Sequence, residues 1–201
     1  MTPSPHRPHG ARPATLRFAT GTTSLGCVLV AVGDDGLAAI TLGDDPATLQ
    51  RALLARHPAA RPAREDEGDM AACLAMVTAC IERPWSVPGN GAEIPPHPWP
   101  ANTLPAGTVF QQQVWQALRA IPCGSTITYA ELAARVGRPG AARAVARACA
   151  ANALAVVIPC HRVIRGDGSL SGYRWGAMRK QLLLERERAW AATRGRKVVS
   201  G

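Results

Sequence analysis

Lysine is nearly missing from this chain of 201 residues: Lys180 and Lys197 stand alone, and arginine supplies almost all of the basic charge. Long apolar runs are missing as well. None approaches the roughly 20 residues that cross a bilayer, so no membrane span is expected. No two of the six cysteines (Cys27, Cys73, Cys80, Cys123, Cys149, Cys160) show C-x-x-C spacing, which argues against a structural zinc. Met1 to Ala14 is rich in proline and histidine without an apolar core, so it does not read as a secretory signal. These absences point to a cytoplasmic chain with reduced thiols, no metal and no cofactor.

The basic excess that remains is large. Lys+Arg 23 against Asp+Glu 14 leaves a formal charge of +9, which suits a polyanion such as nucleic acid but does not by itself establish one. Arginine would meet phosphate through planar, forked contacts and can stack on bases. A hydrophobic fraction of 47% is enough for a real core in one medium domain or two small ones.

Residues 1–15 read as a disordered leader. From Leu16 the pattern is strand-like, and the apolar runs Cys27 to Val32 and Leu37 to Leu42 flank Gly33-Asp34-Asp35-Gly36 as a β-hairpin does. Asp45-Pro46 opens a helix with aspartate at the N-cap and proline at the first position. A second helix carries Met70, Leu74, Val77 and Ile81 at helical spacing, with Cys73 and Cys80 in its core face. Residues 84–106 hold seven prolines, which exclude regular helix or central strand and suggest a linker after an N-terminal domain at 16–83.

From Gly107 the character changes. Thr108 caps a helix with Phe110, Val114, Trp115, Leu118 and Ile121 on one face. Two short helices follow, Tyr129 to Val136 and Ala141 to about Ala151, separated by Gly137-Arg138-Pro139-Gly140. That is a helix-turn-helix pattern. The second of them is built from small residues, with Arg143 and Arg147 one turn apart. A glycine-punctuated loop, Gly166 to Gly176, leads to a last helix from Ala177 to about Trp190. Thr193 to Gly201 reads as a frayed basic tail beyond a domain at 107–192.

Cys160 and His161 sit side by side in the otherwise apolar run Val156-Val157-Ile158-Pro159-Cys160-His161-Arg162-Val163-Ile164. A thiol beside a proton acceptor can become a thiolate nucleophile, whereas an ordinary buried thiol is inert. Pro159 forces a bend just before the pair.

Seven ordered blocks resemble the O6-alkylguanine-DNA alkyltransferase family. They are Phe110 to Trp115, Ile121 to Gly124, Thr128-Tyr129, Arg143 to Ala146, Cys149 to Asn152, Ile158 to Val163 and Leu170 to Gly176. The resemblance implies an α/β N-terminal domain of ribonuclease H-like topology, followed by a mostly α, winged-helix or helix-turn-helix C-terminal domain. It implies irreversible transfer of an alkyl group from O6-alkylguanine in double-stranded DNA to Cys160, once per molecule, by a monomer. O4-methylthymine is a further candidate substrate.

On the same resemblance, His161 takes the thiol proton and Glu187 orients the imidazole. Tyr129 assists the leaving guanine and the rotation of the nucleotide, and Asn152 braces the turn before the cysteine. Arg143 fills the gap left by the flipped base, and the helix bearing Arg143, Ala144, Arg147 and Ala148 enters the minor groove. Val163, Tyr173, Arg174 and Trp175 form the base pocket. Trp175 stands where some family members carry glycine, which favours methyl over bulky alkyl groups. The zinc-binding, transcription-activating half of multidomain relatives has no counterpart here, so a role in inducing gene expression is not expected. Two other readings of the residues stay open at this stage: a DNA-binding regulator without chemistry, and a cysteine hydrolase with turnover.

Overall fold

The computed structural model describes residues 16–83, 104–170 and 172–197. The expected leader (1–15), most of the proline-rich linker (84–103) and the last four residues lie outside the described residues, as does Ser171.

Three strands, β1 (Arg17–Thr23), β2 (Gly26–Gly33) and β3 (Gly36–Gly43), form an antiparallel meander. The second turn is the expected Gly33 to Gly36 hairpin, closed by Gly36 at φ 103°, a left-handed value that glycine adopts without strain. A two-residue strand, β4 (Arg61–Pro62), pairs in parallel with β1, so the sheet order is β3-β2-β1-β4. β2 is covered on both faces, and Val28, Leu29, Val30 and Ala31 are all buried. Leu29 and Ala31 join Phe18, Ala39 and Leu53 under helix α1 (Pro46–Leu54), while Val28 and Val30 join the larger core on the opposite face. Asp45 caps α1, accepting from the backbone N–H of Thr48 at 2.8 Å. Helix α2 (Gly68–Glu82) buries Met70, Cys73, Val77, Cys80 and Ile81, as its spacing predicts.

In the C-terminal half, Thr108 and Gln111 form a reciprocal capping box at the start of α3 (Val109–Arg119), and Thr128 with Glu131 does the same for α4 (Tyr129–Arg135). Helix α5 (Ala142–Ala150) completes the helix-turn-helix. Trp115 on α3 donates its Nε1–H to the Ala148 carbonyl of α5 at 2.9 Å in a buried contact. Gly107 is required here, because a Cβ would meet the Trp115 ring at 2.6 Å. Two short parallel strands, β5 (Ile127–Thr128) and β6 (Val163–Ile164), join the start of α4 to the cysteine segment. Helix α6 (Ala177–Lys197) is longer than its pattern suggests and continues through Thr193 to Lys197, where a frayed tail is expected from the sequence. Small, charged and weakly apolar residues there hide the helical period, yet they contain no proline to end it.

The two halves share one hydrophobic cluster running from Leu25 and Val28 to Tyr173 and Leu183. Ile40 on β3 donates its N–H to the Ala153 carbonyl at 2.8 Å and accepts from Ala155 N–H at 3.1 Å. The sheet edge therefore holds the loop that leads to Cys160. Arg186 on α6 reaches back to the Ile81 carbonyl at 3.0 Å and the Ser24 hydroxyl at 2.7 Å.

Replacing Trp115 by phenylalanine keeps the packing but strands the buried Ala148 carbonyl. We expect a loss of about 1–3 kcal/mol in denaturant unfolding, visible as a lower midpoint with an unchanged m value.

Candidate active site and DNA-binding groove

Cys160, His161 and Arg162 form a single 3-10 turn, entered through Pro159 at φ −81°. All three side chains are buried. Asn152, fully buried, holds the turn from beneath: its Nδ2 donates to the Ile158 carbonyl at 2.9 Å and to Cys160 Sγ at 3.3 Å. Its Oδ1 accepts from Leu154 N–H at 2.8 Å. The bracing role expected of Asn152 thus has a direct geometric basis, with a contact to sulfur in addition. Between these anchors Val156 takes φ 68°, a left-handed value that costs a β-branched residue strain.

Glu187 comes in from α6, about three turns into the helix, and meets the turn from the other side. Its Oε1 lies 2.7 Å from His161 Nε2. Arg162 donates through Nε at 3.0 Å and through Nη2 at 3.0 Å, and Gly124 N–H donates at 3.1 Å. Burial alone would push this carboxyl up, but the hydrogen bond from His161 and the charge and hydrogen bonds of Arg162 outweigh it and bring the pKa down to about 2. Glu187 is therefore an anion, and His161 must point a proton at it from Nε2. The other ring nitrogen, Nδ1, is then a lone pair. It is buried and has no protein partner among the described residues. Burial draws the imidazole pKa below its ordinary value, keeping the ring neutral and basic at Nδ1.

Cys160 itself is not a thiolate at rest. Burial pushes the Cys160 thiol up to about 11, against the pull of the Asn152 amide and the Lys180 charge. The sulfur is a thiol until something changes around it. Lys180 is not anticipated from the sequence, although its rarity is a signal: it is fully buried and donates Nζ–H to the Val163 carbonyl at 2.5 Å. Arg162 is likewise inconspicuous within the motif, and it is the main counter-ion of Glu187.

Tyr173 and Trp175 stack edge-to-face at 5.1 Å between ring centres, and Tyr173 lies 6.4 Å from the His161 ring. The Tyr173 hydroxyl is a second buried polar atom without a partner among the described residues. Arg174 is exposed, its guanidinium 5.9 Å from the Trp175 ring centre. Val163 is fully buried and can offer only its backbone.

Across the surface of α5 runs an open groove of about 430 Å³, lined by Tyr129, Ala142, Arg143, Ala146, Arg147, Ala150, Arg165 and Gly172. Tyr129, Arg143 and Arg147 lie in it, as expected. Ala148 does not: it is 2% exposed and faces α3, and Ala144 is half-buried outside the groove. The helical period explains the correction, since Val145, Ala148 and Cys149 form the inward face and Ala146 and Ala150 the outward one. Arg165 in the groove wall escapes sequence reasoning because it lies in a loop without periodicity. Burial raises the Tyr129 hydroxyl to about 12, so it is a proton donor at neutral pH. None of the six cysteines is in a disulfide, and among the described residues no cluster of ligands could hold a metal and no helix is long and apolar enough to cross a membrane.

Residues 109–189 match the family model described as 6-O-methylguanine DNA methyltransferase, DNA binding domain. The chain is 47% identical over 182 residues to the bifunctional transcriptional activator/DNA repair enzyme Ada of Escherichia coli, covering 89% of this chain and 47% of that protein. It is 58% identical over 85 residues to the methylated-DNA–protein-cysteine methyltransferase of Salmonella typhimurium, covering 42% of this chain and 50% of the relative. It thus spans about half the length of the curated relatives it matches. Among solved structures, the O6-methylguanine methyltransferase of Mycobacterium tuberculosis superposes with a TM-score of 0.63 at 30% identity, covering 87% of this chain and 94% of that one. Mycobacterium tuberculosis OGT in complex with DNA superposes with a TM-score of 0.63 at 29% identity, covering 86% of this chain and 93% of that one.

Glu187 and His161 make the fold acid-sensitive in a defined window. Glu187 ionises in the unfolded chain near 4.5 but at about 2 when folded, so its stabilisation is complete above pH 4.5 and is lost as the pH falls towards 2. His161, held neutral by burial, begins to cost stability once the pH drops below its ordinary 6.5. We expect unfolding free energy to fall steadily below pH 6.5, with Glu187 accounting for about 3 kcal/mol by pH 2. The E187Q variant should flatten the lower part of that curve in urea titrations at stepped pH.

Proposed function

The chain belongs to the O6-methylguanine DNA methyltransferase family, and on that premise we propose that it repairs alkylated DNA by moving the alkyl group of O6-alkylguanine onto Cys160, once per molecule. The observation that carries this reading is a buried sulfur and a neutral imidazole in one 3-10 turn. The Nδ1 lone pair of that imidazole is unused, and its far side is locked to an ionised carboxylate. A metal-free displacement needs those parts and no others.

The Cys160 proton passes to His161 Nδ1, directly or through one water, and Glu187 stabilises the imidazolium that forms. Sulfur attacks the alkyl carbon, the S–C bond forms, and the C–O6 bond breaks with its electron pair moving onto the guanine. Tyr129, still protonated at neutral pH, donates to the departing base. The guanine reaches this site only outside the duplex, because O6 is engaged in pairing within it. The groove beside α5 supplies the surface for that: Arg147 faces the phosphates, and the small Ala146 and Ala150 let the helix lie close to the minor groove. Arg143 is the residue that takes the place of the rotated base. Tyr173, with its unpartnered hydroxyl, and the backbone around Val163 and Arg174 form the pocket for that base.

We read the N-terminal sheet as ribonuclease H-like, on its meander and the parallel β4 beside β1, and the C-terminal half as a winged-helix variant, on the β5–β6 pair beside the helix-turn-helix. The division into domains at 16–83 and 107–192 belongs to the same reading. One chain supplies every residue named, so a monomer suffices.

Incubation with a duplex containing O6-methylguanine should add about 14 Da, one CH2, to the peptide that carries Cys160, and no more than one such group per chain. The C160S variant should lose transfer yet keep DNA affinity. Many methyl groups released per chain would point to a hydrolase instead, and full activity of C160S would remove the sulfur from the chemistry.

Trp175 is 6% exposed and packs on Tyr173, so it narrows the pocket wall. We expect O6-benzylguanine to react at least about tenfold more slowly than O6-methylguanine, and W175G to close most of that gap. Equal rates in the unaltered protein would show that Trp175 does not limit the alkyl group.

A further inference from the structure

Beside Trp175, a cavity of about 220 Å³ that shares no lining residue with the groove lies between α1, β3 and the loop before Cys160. Its floor is apolar: Ala39, Leu42, Leu49, Leu53 and the indole of Trp175. Its rim carries Arg56, His57 and Arg174, and no carboxylate lines it. Among the described residues, the side chains of Arg56 and His57 have no hydrogen-bond or ion-pair partner. Arg174 has one long contact, to the Asn152 carbonyl at 3.4 Å. Arg56 at the end of α1 is explained by the helix dipole, but Arg174 from a different element is not. Arg56 and Arg174 repel each other across the rim, and that repulsion adds to burial in lowering the Arg174 pKa.

We infer that this cavity is a second binding site, built for a flat apolar anion of the aromatic carboxylate class, with its ring on the Leu42, Leu53 and Trp175 floor and its carboxylate between Arg56 and Arg174. The volume admits one or two fused rings and not a nucleotide. The forked guanidinium geometry matches a carboxylate, and each charge-assisted contact is strong because the floor is dry. The site does not share a residue with the groove beside α5 and does not rest on alkyl transfer.

Titration calorimetry of the full chain with 2-naphthoate tests the inference. Saturable binding at one molecule per chain is expected, with no binding of the uncharged 2-naphthylmethanol. R56A should weaken it at least about tenfold. A52W, which fills the cavity from an exposed helix position, should abolish it. Methyl transfer measured on the same two variants should be unchanged, which separates this site from the repair chemistry. The inference is overturned if naphthoate does not bind, if A52W binds as well as the parent, if the uncharged analogue binds equally, or if inorganic phosphate displaces naphthoate, since the cations would then serve a nucleic-acid backbone.

Discussion

One buried carboxylate organises the reactive end of the molecule. Glu187 accepts from His161, from Arg162 and from the Gly124 backbone, and it does so at 2% exposure. A lone anion at that depth would be prohibitive, and a lone Arg162 no better. Together they satisfy each other, and Arg162 gives its remaining Nη1–H to the Ile121 carbonyl at 2.6 Å. The result ties α6 to the cysteine turn and to the end of α3 at a single point. Removing either partner leaves an uncompensated charge in the core, so the cluster is costly to break, whatever its net contribution to stability. What it provides beyond that is a tautomer: a carboxylate on Nε2 leaves Nδ1 as the base.

The sheet contributes no side chain to this cluster, yet the site depends on it. Ile40 pairs with Ala153 and Ala155, either side of Leu154, and so fixes the segment that Asn152 begins and Cys160 ends. The same segment contains Val156 in its left-handed conformation, stabilised by the short contact of Val157 N–H with the Ala155 carbonyl at 2.7 Å. A strained residue persists only where its neighbours determine it from several sides. Here those neighbours are β3 on one side and Asn152 on the other. The N-terminal half is thus a clamp for the loop before the acceptor, and the β5–β6 pair is the corresponding clamp after it, placing Tyr129 beside the same turn.

What could be read in the sequence follows from how local each signal is. Asp45-Pro46, Thr108 with Gln111, and Thr128 with Glu131 are caps contained within four residues, and each starts its helix where expected. Cys160, His161 and Asn152 are legible through the family blocks, and Glu187 only through its position in the resemblance; the structure brings these four together. The misses need long-range geometry. β4 is two residues long and exists only because β1 lies beside it. Lys180 and Arg162 look like surface cations in a basic chain, and only the packing of α6 on the cysteine turn buries them. Ala148 was misassigned because a helix of alanines hides its own inward face: the decisive contact, Trp115 on Ala148, spans 33 residues.

The high pKa of Cys160 bears on how the proposed acceptor would behave at rest. A thiol at about 11 needs roughly 5 kcal/mol to ionise at neutral pH, since each pKa unit is about 1.36 kcal/mol. Low-pKa, exposed thiolates are the ones that peroxide and adventitious electrophiles consume. A buried thiol is spared that fate, but it must then be activated by something the target brings. The local groups indicate how. The Asn152 amide, Lys180 and Arg174 all favour the charged sulfur, and desolvation is the one large force against it. That opposition is strongest while the surroundings of the sulfur are apolar. A polar base entering beside Tyr173 replaces part of that apolar surface with hydrogen-bonding groups and presents the electrophilic carbon in the same act. On the proposed function, ionisation and substrate arrival then become one event, and the thiol is not spent before its target is in place.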